Sequence, residues 1–155
     1  MSDIITKYPK RKMETVIDIE APAQKIYNVF KETAFHVPGH APNHIQGVEV
    51  HEGAWDKHGS IKVWTYTFEG KTTTFKERVE FDDEKLIVKL VGIDGDPFTY
   101  LKQYVPIFQF IPKGTGTEAI LTIVYEKISE SIKVPDYMDF MIGLTKSLSE
   151  GIVKS

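Results

Sequence analysis

The chain has 155 residues, of which 41% are hydrophobic and 26% are charged, a balance that suits one globular domain and argues against wholesale disorder. Its 19 basic and 22 acidic residues leave a net charge of −3, so no general field attracts nucleic acid or an anionic membrane surface. The sequence contains no cysteine, which excludes disulfides, thiolate catalysis and cysteine-based zinc sites.

The N-terminal segment MSDIITKYPKRK lacks an apolar core of signal-peptide length. Nowhere does the sequence run through about 18 consecutive apolar residues, the length that a membrane-spanning helix needs. We therefore expect a cytoplasmic protein with a single domain over residues 1–155, of which residues 1–9 form an N-terminal tail.

The first predicted elements are a strand and an interrupted helical region. Hydrophobic and polar residues alternate over residues 13–19, which predicts a strand. Pro22 then suits a helix start, and the segment AQKIYNVFKET carries Ile26, Tyr27 and Phe30 at helical spacing. The following AFHVPGHAPNH contains two prolines and a glycine, so it allows at most a short, broken second helix.

Six further strands are predicted, near residues 45–52, 60–69, 71–81, 86–93, 99–111 and 117–127. The connections between them are short and rich in turn formers, such as Glu69-Gly70-Lys71, so consecutive strands should form an antiparallel meander. Pro106 interrupts the strand at 99–111, which favours an edge position or a bulge there.

The last predicted element is a helix that starts after Pro135. Along DYMDFMIGLTKSLSEGIVK, spacings of four, three, four and four residues place one apolar set on a single helical face: Tyr137, Met141, Leu144, Leu148 and Ile152. Laid across the meander, this helix would bury the inner side of the sheet. A curved sheet around one helix encloses more volume than its side chains fill, so we predict an α+β fold with an internal cavity.

The strand at 60–69 carries the most informative pattern. Alternate residues of a strand face the same side of a sheet, and we call such a set one parity of the strand. In this strand one parity consists of Lys62, Trp64, Tyr66 and Phe68. Aromatic walls with a few polar groups are typical of ligand cavities, whereas ordinary cores prefer Leu, Ile and Val. A core that uses aromatic residues as filler explains this strand equally well.

Several blocks in one order resemble the Bet v 1 (birch pollen allergen) superfamily, in its major latex protein-like branch. The blocks are IQGVEVHEGAW (45–55), KHGSIKVWTYTFEGK (57–71), FKERVEFDDE (75–84), IDGD (93–96), PKGTG (112–116), YEK (125–127) and PDYMDF (135–140). The resemblance covers about residues 10–153. It implies a helix-grip fold, in which a seven-stranded curved antiparallel sheet wraps around the long C-terminal helix and two short helices follow strand 1. It also implies an internal hydrophobic cavity that binds apolar or amphipathic plant metabolites.

The resemblance implies one of two functions. Most related proteins are non-catalytic carriers or defence-response proteins, and a minority are enzymes that guide reactive intermediates toward cyclisation, isomerisation or condensation. We favour a cofactor-free cyclase or isomerase of a terpenoid intermediate, for example an iridoid enol converted to a nepetalactol-type product, with a carrier of hormones or lipids as the alternative. The expected partner is a small hydrophobic or amphipathic metabolite, with no nucleic acid and no membrane, and other enzymes of the pathway stay open as partners.

The catalytic candidates are His36, Lys62, Tyr66 and Glu77. Glu77 shares the inward parity of its strand, so desolvation should raise its pKa and let it move a proton. A structural carboxylate bonded to a neighbouring tyrosine or to Lys62 is the simpler interpretation. Lys62 is expected to snorkel to the cavity mouth, or else to bind a ligand carbonyl or carboxylate.

Condensing enzymes that make benzylisoquinoline skeletons share this fold and use a tyrosine, a lysine and two acids. Their pattern falls on Phe75, Glu77, Val88 and Pro106 of this chain. Only Glu77 keeps the required residue type, so that condensation is not expected.

The predicted ligand-binding set consists of inward-facing strand residues and one flank of the last helix: Lys62, Trp64, Tyr66, Phe68, Phe75, Glu77, Val88, Leu90, Tyr104, Tyr125, Met138, Met141 and Ile142. His36, His40 and His44 recur every four residues, a spacing that aligns metal ligands on a helix. Pro38 and Pro42 break that helix, so we predict no metal site, and the chemistry above needs no cofactor.

Overall fold

The computed structural model describes residues 10–155, so the tail predicted for residues 1–9 lies outside its described part. The elements in chain order are β1 (Arg11–Ile19), α1 (Ala23–Lys31), a 3₁₀ turn (Ala34–His36), α2 (Val37–His40), β2 (Ile45–Glu52), β3 (Ile61–Phe68), β4 (Lys71–Asp82), β5 (Ile87–Gly95), a second 3₁₀ turn (Asp96–Thr99), β6 (Leu101–Lys113), β7 (Gly116–Lys127) and α3 (Tyr137–Lys154).

The seven strands form one curved sheet in the order β1-β7-β6-β5-β4-β3-β2, and every neighbouring pair is antiparallel. Strands β2 to β7 follow one another as a meander, and β1 adds to its end beside β7. The predicted α+β helix-grip architecture is therefore confirmed, with two short helices between β1 and β2.

The tight turns form where the sequence predicts them. Phe68 pairs with Lys71, so Glu69 and Gly70 alone connect β3 to β4. Their φ angles of 49° and 80° are both positive, as in the type I′ turn whose twist matches that of the flanking strands. This turn fixes the register that brings the inward residues of β3 opposite those of β4.

Pro106 does not lie on an edge strand, because β6 has β5 on one side and β7 on the other. The ladder between β5 and β6 is short, however, and its last pair is Lys89 with Ile107. Pro106 is the next residue of β6, and its lack of an N–H group costs nothing where no pair follows.

Helix α3 packs its predicted apolar face inward, since Tyr137, Met141, Leu144, Leu148 and Ile152 are all buried. The helix contacts α1, α2, β1 and β7. Its C-terminal half approaches α2 closely at Gly151, where a Cβ atom would lie 2.6 Å from the backbone oxygen of His40. Helix α2 is thereby held against the C-terminal half of α3.

From residue 10 onward, none of the helices combines the length and the hydrophobicity that crossing a bilayer requires.

Candidate functional site

A cavity of about 70 Å³ lies between the sheet, α3 and the two short helices. Eight of its fifteen lining residues are aromatic, and the described wall carries no charged side chain. Ligand pockets of drug-sized molecules usually measure about 300–1,000 Å³. The wall therefore has the composition of a ligand site, but a metabolite larger than a few waters needs side chains to move.

The structure brings six of the predicted ligand-binding residues onto the cavity wall: Trp64, Tyr66, Phe75, Leu90, Tyr104 and Met141. Phe68 lies beside the wall and stacks on Tyr137, with ring centroids 5.0 Å apart. The remaining apolar members of the set pack in or against the core without lining the cavity: Val88, Tyr125, Met138 and Ile142. Ligand contact by each of these residues stays a prediction.

Sequence reasoning missed much of the wall. The sequence predicts Leu144 and Tyr137 on the packed face of α3 and Phe30 on the apolar face of α1, but not at a cavity wall. Pro97 and Phe108 carried no specific signal. Helical periodicity identifies which side chains turn inward, but it does not distinguish those that border a cavity from those that touch other atoms on all sides.

Lys62 and Glu77 form a buried polar pair at the Trp64 end of the cavity. They are opposite each other in the β3–β4 register, and their exposed fractions are 1% and 0%. The indole Nε1 of Trp64 donates a hydrogen bond of 2.8 Å to Oε1 of Glu77. Among residues 10–155, Oε2 of Glu77 and Nζ of Lys62 have no hydrogen-bond partner.

This arrangement corrects two interpretations of the sequence. Lys62 does not snorkel to solvent, since its Nζ has essentially no exposed surface. The hydrogen-bond donor to Glu77 is Trp64 rather than a tyrosine or Lys62. The alternation along β3 and β4 correctly indicates that both side chains face inward, but it does not indicate how deeply Lys62 is buried.

Burial shifts the protonation of both groups toward the neutral form. Desolvation raises the pKa of Glu77 to about 7, although the Trp64 hydrogen bond and the charge of Lys62 oppose the shift. Desolvation also lowers the pKa of Lys62, against the opposing charges of Glu77 and Asp56. A carboxyl group that titrates near neutral pH can act as either an acid or a base there.

Two tyrosines on the wall add hydroxyl groups to the site. Burial raises the pKa of Tyr66 and of Tyr104, so both phenols stay protonated and can donate hydrogen bonds. The Tyr104 ring is held between Phe75 and Tyr137, with centroid distances of 5.5 Å and 5.1 Å. The hydroxyl of Tyr137 donates to Oδ2 of Asp96 at 3.1 Å and is thereby committed to a structural contact.

The structure places His36 outside the cavity. It is exposed at the start of α2, where it borders a surface cleft together with His40 and the C-terminal residues of α3. His44 faces a different direction, against the ring of Phe140 at 5.6 Å, and burial lowers its pKa. In the part of the chain that the structure describes, no three His, Cys, Asp or Glu side chains cluster as metal ligands would.

Comparison with known proteins shows which family the chain belongs to. A profile of the pathogenesis-related protein Bet v 1 family matches residues 9–155. The chain is 36% identical over 143 residues to MLP-like protein 328 of Arabidopsis thaliana, covering 91% of this chain and 95% of that protein. Its structure is similar to ginseng major latex-like protein 151 from Panax ginseng, with a TM-score of 0.86, 30% identity, and coverage of 90% and 95% of the two chains.

A more distant structural relative is norcoclaurine synthase from Thalictrum flavum, solved in complex with dopamine and hydroxybenzaldehyde. Its TM-score is 0.75 over 96% of this chain and 90% of the synthase, and at 17% identity it shows a common fold alone. The family profile, the curated relative and the ginseng structure agree along nearly the whole chain. The chain therefore belongs to the pathogenesis-related protein Bet v 1 family, as a major latex protein-like member.

Proposed function

We propose that this protein binds a small hydrophobic metabolite in its cavity and promotes the cyclisation or isomerisation of a reactive terpenoid intermediate, such as an iridoid enol, without a cofactor. The observation that supports the proposal most directly is the pairing of an apolar aromatic wall with a buried carboxyl group whose pKa is raised to about 7. We place this activity in a single cytoplasmic domain.

The chemistry follows from the wall and its polar groups. An apolar cavity excludes water from a reactive enol and holds its flexible chain in a folded conformer. A phenol hydroxyl of Tyr66 or Tyr104 donates to the carbonyl or enol oxygen and stabilises charge that develops there. Glu77, which accepts a hydrogen bond from the wall residue Trp64, exchanges a proton with the substrate when the indole ring moves aside.

A carrier function uses the same cavity, and the absence of charge on the described wall favours it as the second candidate. A carrier would bind the metabolite without changing the products that form in buffer. The two functions therefore differ in product distribution rather than in affinity.

The test combines binding and product analysis. An iridoid enol generated in situ is incubated with the protein, and product ratio and stereochemistry are compared with those in buffer. Leu144→Trp fills the cavity from α3, and Val153→Trp adds the same ring on the exposed side of that helix as the matched control. Circular dichroism verifies that both variants fold.

We expect the original protein and Val153→Trp to alter the product ratio, and Leu144→Trp to lose that effect. Binding without any change in products would support the carrier. Equal behaviour of both tryptophan variants would contradict a role for the cavity.

A further inference from the structure

The Lys62–Glu77 pair has features that packing alone does not require. The two residues face each other across β3 and β4 and are almost completely buried. A lysine kept only to neutralise the carboxylate would donate to it, yet Oε1 takes its hydrogen bond from Trp64 and Oε2 takes none. Burying polar groups without partners costs several kcal/mol in typical proteins, and such costs concentrate at functional sites.

The position of the pair relative to the cavity is set by strand geometry. Tyr66, Trp64 and Lys62 follow one another on the inner face of β3, and alternate residues of a strand are about 7 Å apart. Tyr66 and Trp64 line the cavity, and Lys62 is the next residue on the same face of the strand, just outside the cavity wall. A ligand with its apolar body in the cavity and a polar head at Trp64 reaches the Lys62 amine when the indole ring moves aside.

We propose that Lys62 is a carbonyl-reactive amine, which condenses with the aldehyde group of a cavity-bound apolar ligand to form an imine, with Glu77 as the proton donor and acceptor. The inference rests on the proposed binding of a metabolite in the cavity. It adds a covalent step that the non-covalent cyclisation proposed above does not contain.

The step balances without an oxidant, a reductant or a further reactant. The lone pair of Nζ attacks the carbonyl carbon, a C–N bond forms, and the carbonyl oxygen takes a proton from Glu77 while the nitrogen returns one to it. Glu77 then protonates the hydroxyl of this carbinolamine, and the C–O bond breaks with loss of water. The product is an iminium ion beside the Glu77 carboxylate, whose Oε2 is free to accept its N–H.

The protonation states suit this sequence of steps. Burial lowers the pKa of Lys62, which increases the fraction of nucleophilic, uncharged amine. Burial raises the pKa of Glu77 to about 7, so a substantial fraction of the carboxyl group carries a proton for the first step at neutral pH. The iminium ion acidifies the neighbouring carbon, which opens an enamine route for isomerising or cyclising an aldehyde.

The experiment uses citronellal, a branched monoterpenoid aldehyde, and citronellol, the alcohol of the same carbon skeleton. Citronellol binding is measured by tryptophan fluorescence. Citronellal is incubated with the protein and cyanoborohydride, which reduces an imine to a stable amine, and peptide mass spectrometry locates the label. Lys89 provides an internal comparison, since it also faces a glutamate, Glu80, across neighbouring strands but is 44% exposed.

We expect label at Lys62 to form at least about 10-fold faster than at Lys89, and excess citronellol to suppress only the label at Lys62. Lys62→Arg should lose the label at this position, and Glu77→Gln should slow labelling of Lys62 about 100-fold, as loss of a general acid does. Lys89→Met should leave the label at Lys62 unchanged.

Two results would overturn the inference, and they are distinguishable. If citronellol binds and the label spreads over exposed lysines with no excess at Lys62, the covalent step is refuted while the proposed binding function stands. If citronellol does not bind, the proposed function fails and this inference fails with it. Both results come from the unmodified chain, so they do not depend on the folding of any variant.

Discussion

Replacing Glu77 by Gln should remove a pH dependence from the stability of this protein. In the unfolded chain Glu77 ionises near its ordinary pKa of 4.5, whereas in the folded chain it holds its proton up to about pH 7. Between these values the unfolded state loses the proton first, so the free energy of unfolding falls as pH rises. The shift from 4.5 to about 7 corresponds to about 3 kcal/mol, at 1.36 kcal/mol for each pH unit.

Urea unfolding followed by far-UV circular dichroism measures this effect at about pH 4 and about pH 8. Between these two pH values the free energy of unfolding of wild type should fall by about 3 kcal/mol more than that of Glu77→Gln. Glutamine keeps an oxygen that accepts the hydrogen bond from the Trp64 indole, but it does not ionise. Lys62→Met should raise the pKa of Glu77 further, since the Lys62 charge lowers it in wild type. The pH range over which the free energy of unfolding falls should then extend to higher pH. A difference between wild type and Glu77→Gln that stays constant with pH would refute the argument.

Three further changes test other parts of the structure. Leu148→Ala removes a fully buried side chain and should reduce the free energy of unfolding by about 2–5 kcal/mol in urea titration. Gly95→Ala should lower the melting temperature more than Gly114→Ala, because both have positive φ but only a Cβ at Gly95 meets the backbone, at 2.3 Å; equal effects would contradict this. Trp64→Phe removes the hydrogen bond to Glu77 and should raise the carboxyl pKa further, measured by NMR titration; an unchanged pKa would show that the bond is weak in solution.

Much of the fold was predictable because its signals are local. The spacing of Tyr137, Leu144 and Ile152 identifies the buried face of α3 without knowledge of any partner. Glu69-Gly70 similarly predicts the β3–β4 turn from the residues that tolerate positive φ. The sequence predicts the sixth strand from residue 99, whereas β6 begins at Leu101, because residues 96–99 adopt a 3₁₀ turn that a strand pattern does not distinguish.

The candidate site was less predictable because it depends on tertiary packing. Parity places Val88 and Leu90 on the same face of β5, yet only Leu90 borders the cavity. The long side chain of Lys62 could reach solvent or remain inside, and only the arrangement of neighbouring elements decides between these. Chain-local rules give the direction of a side chain but not the empty space in front of it.

The short ladder between β5 and β6 has a consequence for how a guest molecule is admitted. The cavity measures about 70 Å³, so a monoterpenoid must displace some of the protein atoms around it. Separating paired strands sacrifices backbone hydrogen bonds, which is costly wherever the pairing is long. The β5–β6 ladder has three residue pairs, and one further backbone hydrogen bond joins Phe110 to Leu86 at one end. Leu90 and Tyr104 lie beyond the other end, and their side chains line the cavity. The open end of the β5–β6 ladder is therefore where the cavity can widen with the smallest loss of backbone hydrogen bonds.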